Sequence, residues 1–281
     1  MKPSSFRPAK VGSDDTTLHQ SPSPAGMANK HGQTLDITLT SDEPPIGIKI
    51  AEPPGVTSDN LPLSTWGASY ILANELHTLN IPVPPKNEIS SHPPILELGA
   101  GTGLVGISAS LLLKQNAILT DLPTILPGVA ANISVNAPIL SKAGLNLQTG
   151  LLDWNAPSSL IVYTPDGLHA ATSITPDSHK FSVILAADTV YDPDHPSLLS
   201  STVSTWLSRT PDARFVLCYP LRMAYLDIIR DLWEILDAAG LECVTEGQRQ
   251  GDDPSWDEEA PYEWSMWAWT SGRVASGSGE G

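Results

Sequence analysis

A glycine-rich stretch carries the residue types most suited to holding a ligand against the backbone. Glu97-Leu98-Gly99-Ala100-Gly101-Thr102-Gly103 lies where a short apolar run meets a helical pattern. Glycine is needed in such a turn because any Cβ would block a ligand that approaches the backbone. The helix that follows offers N–H groups without intrahelical partners. This stretch therefore predicts a ligand site on a strand-to-helix turn.

The same turn also fits a dinucleotide fingerprint. Gly101-Thr102-Gly103-Leu104-Val105-Gly106 satisfies GxGxxG, and Asp121 lies 121 − 101 = 20 residues beyond Gly101. An acidic residue at that spacing is typical of ribose recognition in dinucleotide-binding units. A lone GxGxxG is weak evidence, so the turn by itself leaves a dehydrogenase open.

A second stretch offers a carboxylate and a phenol. Asp188-Thr189-Val190-Tyr191 follows the apolar run 181–186, and a carboxylate at such a point can orient a cationic group. Asp188 is a poor candidate for capping the next predicted helix, 197–208, because several residues intervene. Tyr219 ends a later strand and is a weaker candidate for the same crevice, since a core tyrosine with a satisfied hydroxyl is the more common case.

Alternating strands and helices must position these residues. After a predicted β-hairpin (34–39 with 46–50), apolar runs and helical periodicity alternate along the chain. We predict strands at 94–98, 117–120, 145–152, 181–186, 214–219, 241–246 and 262–270, and helices at 66–79, 103–114, 125–136, 197–208 and 223–239. A long loop is expected at 155–180. Such alternation indicates an α/β fold with a mostly parallel sheet and helices on both faces.

Composition divides the chain and excludes several functions. Residues 1–32 are predicted to be a disordered arm, 33–270 one domain and 271–281 a flexible tail. The 281 residues carry a net charge of −16, which argues against nucleic acid as a partner. From charge alone, an acidic protein with no charge-selected partner is the better interpretation.

The sequence also lacks the signals of a metal site, a membrane span and secretion. Two cysteines without metal-binding spacing predict neither a disulfide framework nor a metal site. The sequence has no apolar run of about 18 residues, so no membrane span is predicted. The first 30 residues lack the apolar segment of a secretory signal. We therefore expect a cytoplasmic protein.

The order of five motifs identifies a family resemblance. They are Thr65-Trp66-Gly67-Ala68, the glycine turn at 97–103, Thr120-Asp121-Leu122-Pro123, Leu152-Asp153-Trp154 and Ala187-Asp188-Thr189-Val190-Tyr191. Together they resemble the seven-β-strand S-adenosylmethionine-dependent protein-lysine methyltransferases, most closely the group that modifies elongation factors and chaperones. The resemblance covers about residues 60–270. Residues 1–32 and 155–180 depart from it.

The resemblance implies a fold, a cofactor and the residues that hold it. The fold is a Rossmann-like, seven-stranded, mostly parallel sheet whose last strand is antiparallel. The cofactor is S-adenosylmethionine, with Asp121 accepting hydrogen bonds from the ribose hydroxyls and Trp154 lying against the adenine. The implied cofactor-binding residues are Trp66, Glu97, Gly99, Ala100, Gly101, Asp121, Asp153, Trp154 and Ala187.

The resemblance also implies Asp188 and Tyr191 as catalytic residues. The implied substrate is a protein that bears a target lysine, possibly a translation elongation factor, and the enzyme is expected to be a monomer. A small-molecule N-methyltransferase and an inactive cofactor-binding interaction protein remain alternatives. The acidic connection 251–261 is expected to be either a solvated loop or a docking lip for a basic surface, with Trp256 as an anchor.

Overall fold

The structure, a computed structural model, describes residues 34–39, 45–51, 65–85, 93–250 and 261–274. The predicted arm at 1–32, most of the predicted tail and nearly all of the acidic connection lie outside these residues. The strands are β1 (Thr34–Leu39), β2 (Ile46–Ala51), β3 (Ile95–Leu98), β4 (Ala117–Thr120), β5 (Leu147–Leu152), β6 (Leu160–Tyr163), β7 (Ala170–Ile174), β8 (Val183–Ala187), β9 (Arg214–Pro220), β10 (Leu241–Arg249) and β11 (Tyr262–Trp269). The helices are α1 (Gly67–Glu75), α2 (Leu104–Leu113), α3 (Leu126–Val135), α4 (Ala137–Lys142), α5 (His195–Trp206) and α6 (Leu226–Ala239).

Nine strands form the main sheet, in the order β10-β11-β9-β8-β3-β4-β5-β6-β7. Parallel pairing joins β9, β8, β3, β4 and β5, whereas β11 runs antiparallel to both of its neighbours. The predicted Rossmann-like fold with an antiparallel last strand is therefore confirmed. Strand order reverses between β3 and β8, and ligands of open α/β sheets bind at such a switch point, beyond the carboxyl ends of the strands.

The expectation of a long loop at 155–180 was wrong. That segment contains β6 and β7, which pair antiparallel and extend the sheet beyond β5. The insertion thus adds two strands to the seven that were predicted. The tip of this hairpin packs on the start of α3, where a Cβ on Gly167 would approach the Leu126 carbonyl oxygen and meet Pro127 N at 3.0 Å.

The sheet separates two apolar cores. One core lies between the sheet and α1, α2 and α3, and includes Leu72, Leu104 and Val129. The other lies under α5 and α6 and includes Trp206 and Leu232. Helices therefore cover both faces, as predicted, and leave the carboxyl edge of the parallel strands as the place for a site.

Most helix boundaries agree with the periodicity to within a few residues. The exception follows α3, where the predicted helix 125–136 stops at Val135 and α4, which was not predicted, begins. Pro138 lies in the first turn of α4, a position that tolerates proline because its N–H needs no intrahelical partner. At the other end of the chain, Gly240 closes α6 with φ +92°, as its place at the end of an apolar periodicity predicted.

Candidate active site

A cavity of about 870 Å³ opens at the carboxyl edge of the sheet, where the strand order reverses. Its walls come from the ends of β3, β4, β5 and β8 and from the loops that follow them. Ten of the eleven predicted site residues line it: Trp66, Gly99, Ala100, Gly101, Asp121, Asp153, Trp154, Ala187, Asp188 and Tyr191. The structure therefore brings together residues that are spread over more than a hundred positions of the sequence.

Left-handed backbone shapes the glycine turn. Gly99, Gly101 and Gly103 have φ of +64°, +56° and +78°, a region that side chains with a Cβ rarely adopt. A Cβ on Gly99 would also lie 2.9 Å from the Thr189 methyl group. The turn is fixed by backbone hydrogen bonds, because Ala100 N–H donates to the Thr120 carbonyl at 2.9 Å. The glycines are thus required by the shape of the turn.

Asp121 links the turn to the end of β4. Its Oδ2 accepts the Gly101 N–H at 2.8 Å, and its Oδ1 accepts the Leu122 N–H at 2.7 Å. Burial raises the pKa of this carboxyl despite both backbone hydrogen bonds, which act to lower it. A carboxylate offers about four acceptor positions. Two therefore remain for ribose hydroxyls of the kind predicted from the sequence.

Glu97 is the predicted binding residue that the structure places away from the cavity. It is 2% exposed behind the turn, where its Oε2 accepts the Gly106 N–H at 3.0 Å. Burial raises its pKa well above the ordinary value, and the nearby Asp121 charge adds to this effect. A Cβ on Gly106 would collide with this carboxylate and lie 2.7 Å from Leu119. The third glycine of the GxGxxG pattern thus makes room for Glu97 and for helix packing.

The wall beyond β5 combines an indole with a carboxylate. Trp154 is half-buried, and its ring meets the edge of the His195 imidazole with centroids 5.9 Å apart. Asp153 is exposed, and its Oδ1 accepts hydrogen bonds from the backbone and side chain of Asn155 at 2.9 and 3.1 Å. An aromatic face beside a carboxylate suits a flat heterocycle that carries an amino group.

The opposite wall holds Asp188, whose backbone is left-handed and whose carboxylate pairs with Arg222. Asp188 follows β8 with φ +54°, and its N–H donates to the Cys218 carbonyl at 2.9 Å. Its side chain is 12% exposed and lies 3.4 Å from the Arg222 guanidinium. A non-glycine residue in the left-handed region is uncommon and is concentrated at functional sites. The backbone thus holds the Asp188 carboxylate at the cavity.

Tyr191 forms the outer part of that wall. It is 55% exposed and packs edge-on against His195 with ring centroids 4.6 Å apart. Partial burial and the charges of Asp121, Asp188 and Asp192 raise the pKa of its hydroxyl. The phenol therefore stays protonated at neutral pH and can donate or accept a hydrogen bond.

Tyr219 belongs to the core, as its more common interpretation predicted. It is 1% exposed, donates to Glu263 at 2.6 Å and accepts the Trp233 indole N–H at 2.7 Å. Burial and Glu263 raise its pKa strongly. Its hydroxyl serves a buried network that ties β9 and β11 to α6.

Several residues that line the cavity were missed from the sequence, among them His195 and Arg222. His195 is the first residue of α5, and Tyr191, four residues earlier, lies outside that helix. Its nearness to the Asp188-Thr189-Val190-Tyr191 motif is the signal that could have indicated it. Arg222 pairs with Asp188 across 34 residues, and only the parallel pairing of β8 and β9 brings the two together. No local pattern in the sequence signals that contact.

The cavity fits S-adenosylmethionine by the chemistry of its walls. Its volume lies within the usual range for small-molecule sites. Gly99 leaves room for close approach to the backbone, Asp121 offers carboxylate acceptors, and Trp154 offers an aromatic face. Thr189 lines the cavity with a buried hydroxyl that has no hydrogen-bond partner among the described residues. A polar ligand can satisfy such a group.

Within the described ranges, no cluster of three or more His, Cys, Asp or Glu side chains could hold a metal ion. Among the same residues, none of the helices has the length and apolar character needed to cross a membrane.

Comparison with known proteins matches this chain to lysine methyltransferases. A family model described as "Lysine methyltransferase" matches residues 49–225. Protein-lysine N-methyltransferase EFM2 of Saccharomyces cerevisiae is 32% identical over 214 residues, which cover 71% of this chain and 46% of that protein. Protein-lysine N-methyltransferase rrg1 of Schizosaccharomyces pombe is 31% identical over 189 residues, which cover 67% and 56%. The chain thus spans about half the length of these curated relatives.

Among solved structures, a TehB-like SAM-dependent methyltransferase from Corynebacterium glutamicum aligns with a TM-score of 0.40 and 16% identity. The alignment covers 63% of this chain and 79% of that one.

Proposed function

This chain belongs to the lysine methyltransferase family, and we propose that it is an S-adenosylmethionine-dependent protein-lysine N-methyltransferase. The family resemblance seen in the ordered motifs is confirmed, and S-adenosylmethionine is the cofactor that this family uses.

One observation carries the proposal, which is that a single cavity joins two chemically different walls. The first wall consists of the glycine turn, Asp121 and Trp154, and suits an adenosine-bearing cofactor. The second consists of Asp188, Tyr191 and Arg222, and suits a cationic or amine substrate. Because both walls border one cavity, a methyl donor and an amine can meet within it.

The residues of the second wall can prepare an amine for attack. S-adenosylmethionine, when bound, supplies an electrophilic methyl group on its sulfonium. A free lysine has a pKa of about 10.4, so its ammonium must lose a proton, here to water, before Nζ can attack. Asp188 can accept an N–H from that ammonium and hold Nζ at the cavity.

Arg222 and Tyr191 modify that hold. The guanidinium 3.4 Å from Asp188 offsets part of the carboxylate charge. A second cation is then stabilised less, which favours the neutral amine that the reaction needs. The protonated phenol of Tyr191 can accept a hydrogen bond from the amine or donate one to a neighbouring acceptor.

We propose a cytoplasmic protein, such as a translation elongation factor, as the substrate of a monomeric enzyme. The net charge of −16 favours encounter with a basic, lysine-bearing surface. Exposed Asp192 and Asp194 next to the cavity wall add local negative charge. A protein substrate also agrees with the names of the matched relatives, which are protein-lysine N-methyltransferases.

Radiolabel transfer tests the proposal. The full chain is incubated with a cell lysate and S-adenosylmethionine labelled on its methyl group, followed by gel autoradiography and mass spectrometry of the labelled bands. We expect label on lysine Nζ in a cytosolic protein, and far less label with Asp188→Asn. A purified elongation factor fraction in place of the lysate tests the narrower substrate.

Two outcomes would contradict the proposal. Label confined to the low-molecular-weight fraction would favour a small-molecule N-methyltransferase. Binding of S-adenosylhomocysteine without any transfer would favour an inactive cofactor-binding protein.

A further inference from the structure

Asn132, a buried residue of α3, joins two segments that lie far apart in the sequence. Its Oδ1 accepts the Ala51 N–H of β2 at 2.7 Å, and its Nδ2 donates to the Thr102 carbonyl of the glycine turn at 2.9 Å. The Asn132 side chain is 1% exposed, and its hydrogen bond to Thr102 is buried. β1 pairs antiparallel with β2, as the sequence predicted, and together they form the N-terminal hairpin. One carboxamide therefore connects the end of this hairpin to the glycine turn.

Asn136, one helical turn later, makes a related set of contacts without the link to the turn. Its Oδ1 accepts the Lys49 N–H at 2.9 Å, and its Nδ2 donates to the Lys49 carbonyl at 2.7 Å. It thereby pairs with β2 as a neighbouring strand would. Asn136 makes two hydrogen bonds to the hairpin and donates a third to the Asn132 backbone carbonyl at 2.8 Å. The Asn132 side chain makes one to the hairpin and one to the turn.

The Thr102 carbonyl is a consequential place for such a bond. Thr102 lines the cavity between Gly101 and Gly103, both of which have left-handed φ. Its hydroxyl lies 3.4 Å from that of Thr65, the residue before Trp66, which also lines the cavity. A shift at Thr102 would therefore move the backbone of the turn and disturb the wall beside it.

We infer that Asn132 is a positioning residue that fixes the glycine turn against the N-terminal hairpin, so that β1 and β2 form part of the cofactor-binding unit. The inference rests on the proposed function, because it takes the turn to be the part of the cavity that receives the cofactor. The hairpin thus acts on cofactor affinity, although none of its described residues lines the cavity.

Linkage gives the inference a second, independent consequence. If docking of the hairpin favours the bound form of the turn, cofactor binding must favour docking of the hairpin by the same factor. Hydrogen exchange of the Ala51 amide, which donates to Asn132, reports that docking. This measurement needs no substitution.

Calorimetric binding of S-adenosylhomocysteine to two matched variants of the full chain tests the role of Asn132. We expect Asn132→Ala to raise the Kd about tenfold and Asn136→Ala to raise it less than about threefold. Docking of the hairpin alone predicts the reverse order, because Asn136 holds β2 by more hydrogen bonds. Equal increases, or a larger one for Asn136→Ala, would overturn the inference.

A second pair of variants covers the case in which alanine unfolds the protein. Asn132→Asp keeps the acceptor for the Ala51 N–H and removes the donor to the Thr102 carbonyl. Asn136→Asp makes the same exchange of donor for acceptor at a residue with no described hydrogen bond to the glycine turn. Thermal melts of all four variants separate loss of stability from loss of affinity.

Exchange measurements on the wild type complete the test. We expect saturating S-adenosylhomocysteine to slow exchange at Ala51 at least severalfold, and no change there would contradict the inference. A wild type that binds S-adenosylhomocysteine but methylates no protein would contradict the proposed function and leave the role of Asn132 intact. A wild type that does not bind it would contradict both.

Discussion

The two walls of the cavity are built by different means. The cofactor wall consists largely of backbone, since three glycines with left-handed φ and hydrogen bonds to Asp121 and Thr120 set its shape. The substrate wall consists of side chains, of which Tyr191 is 55% exposed and Arg222 reaches in from the loop after β9. The shape of the first wall thus depends mainly on backbone dihedral angles, whereas that of the second depends mainly on side-chain conformations.

This difference separates what each wall should tolerate. A backbone-defined turn has few alternative conformations, so substitutions there should act on cofactor affinity in an all-or-none manner. Replacing a side chain of the substrate wall, by contrast, can lower turnover by degrees. If the two walls are separable, a substitution in one wall should leave the function of the other unchanged.

The largest expected effect is on the cofactor wall, from Gly101→Val. A β-branched residue at φ +56° is strained and also fills the space beside the ligand. We expect S-adenosylhomocysteine binding to fall at least about a hundredfold, measured by calorimetry. Gly272→Val is the matched control, because a Cβ there meets nothing within 4 Å. Near-normal affinity of Gly101→Val would mean that the ligand does not approach the turn.

Asp188→Asn tests the substrate wall. The change keeps the shape of the side chain and removes its charge, so cofactor affinity should stay within about threefold of the wild type. We expect methyl transfer to fall about a hundredfold, because the amine loses the group that aligns it. Asp212→Asn, an exposed residue outside the cavity, is the control. Equal turnover by the wild type and Asp188→Asn would leave Asp188 as scaffolding only.

The same division explains what the sequence could predict. Glycines, strand ends and an acidic residue at fixed spacing are local features, and they placed the turn and Asp121 in one cavity. Arg222 was missed because its contact with Asp188 depends on the pairing of β8 with β9. Glu97 was expected at the ligand because the family resemblance implied it, yet its side chain accepts the Gly106 N–H.

The added hairpin was missed for a different reason. β7 is an edge strand in which Ala170 to Ser173 are exposed, so it lacks the apolar alternation that indicates a half-buried strand. The Pro165-Asp166-Gly167 turn was available as a signal, and Asp166 accepts hydrogen bonds there from Thr164 and Leu168. Turn chemistry could have indicated this hairpin where hydrophobic periodicity could not.

Asp121→Ala should have an intermediate effect on the cofactor wall. It removes the acceptors for Gly101 N–H and Leu122 N–H as well as those available to the ribose. Hydrogen bonds to a charged group are worth about 1.5–3 kcal/mol. We therefore expect the Kd of S-adenosylhomocysteine to rise tens of fold. Asp177→Ala, at an exposed position, is the control. Unchanged calorimetric affinity would remove Asp121 from the binding site.

Glu97→Gln should have the smallest effect, and it decides whether Glu97 serves the ligand or the fold beneath it. The amide oxygen of glutamine can still accept the Gly106 N–H, so S-adenosylhomocysteine affinity should change less than about threefold. A role in cofactor binding, as predicted from the sequence, would instead require a clear loss of affinity. Stability should respond in a manner that depends on pH.

Burial raises the pKa of Glu97 in the folded state above its ordinary value of 4.5. The native state therefore binds more protons than the unfolded state as the pH rises from about 4.5 to the raised pKa, and the stability of the wild type falls across that window. Glutamine does not titrate and escapes this loss. We expect thermal melts to show Glu97→Gln above the wild type by a few degrees at pH 8, with the difference shrinking towards pH 5. Glu242→Gln, at an exposed position of β10, is the control variant in the same melts. A variant that is less stable than the wild type at pH 8 would mean that the ionised carboxylate supports the turn through contacts strong enough to offset its desolvation.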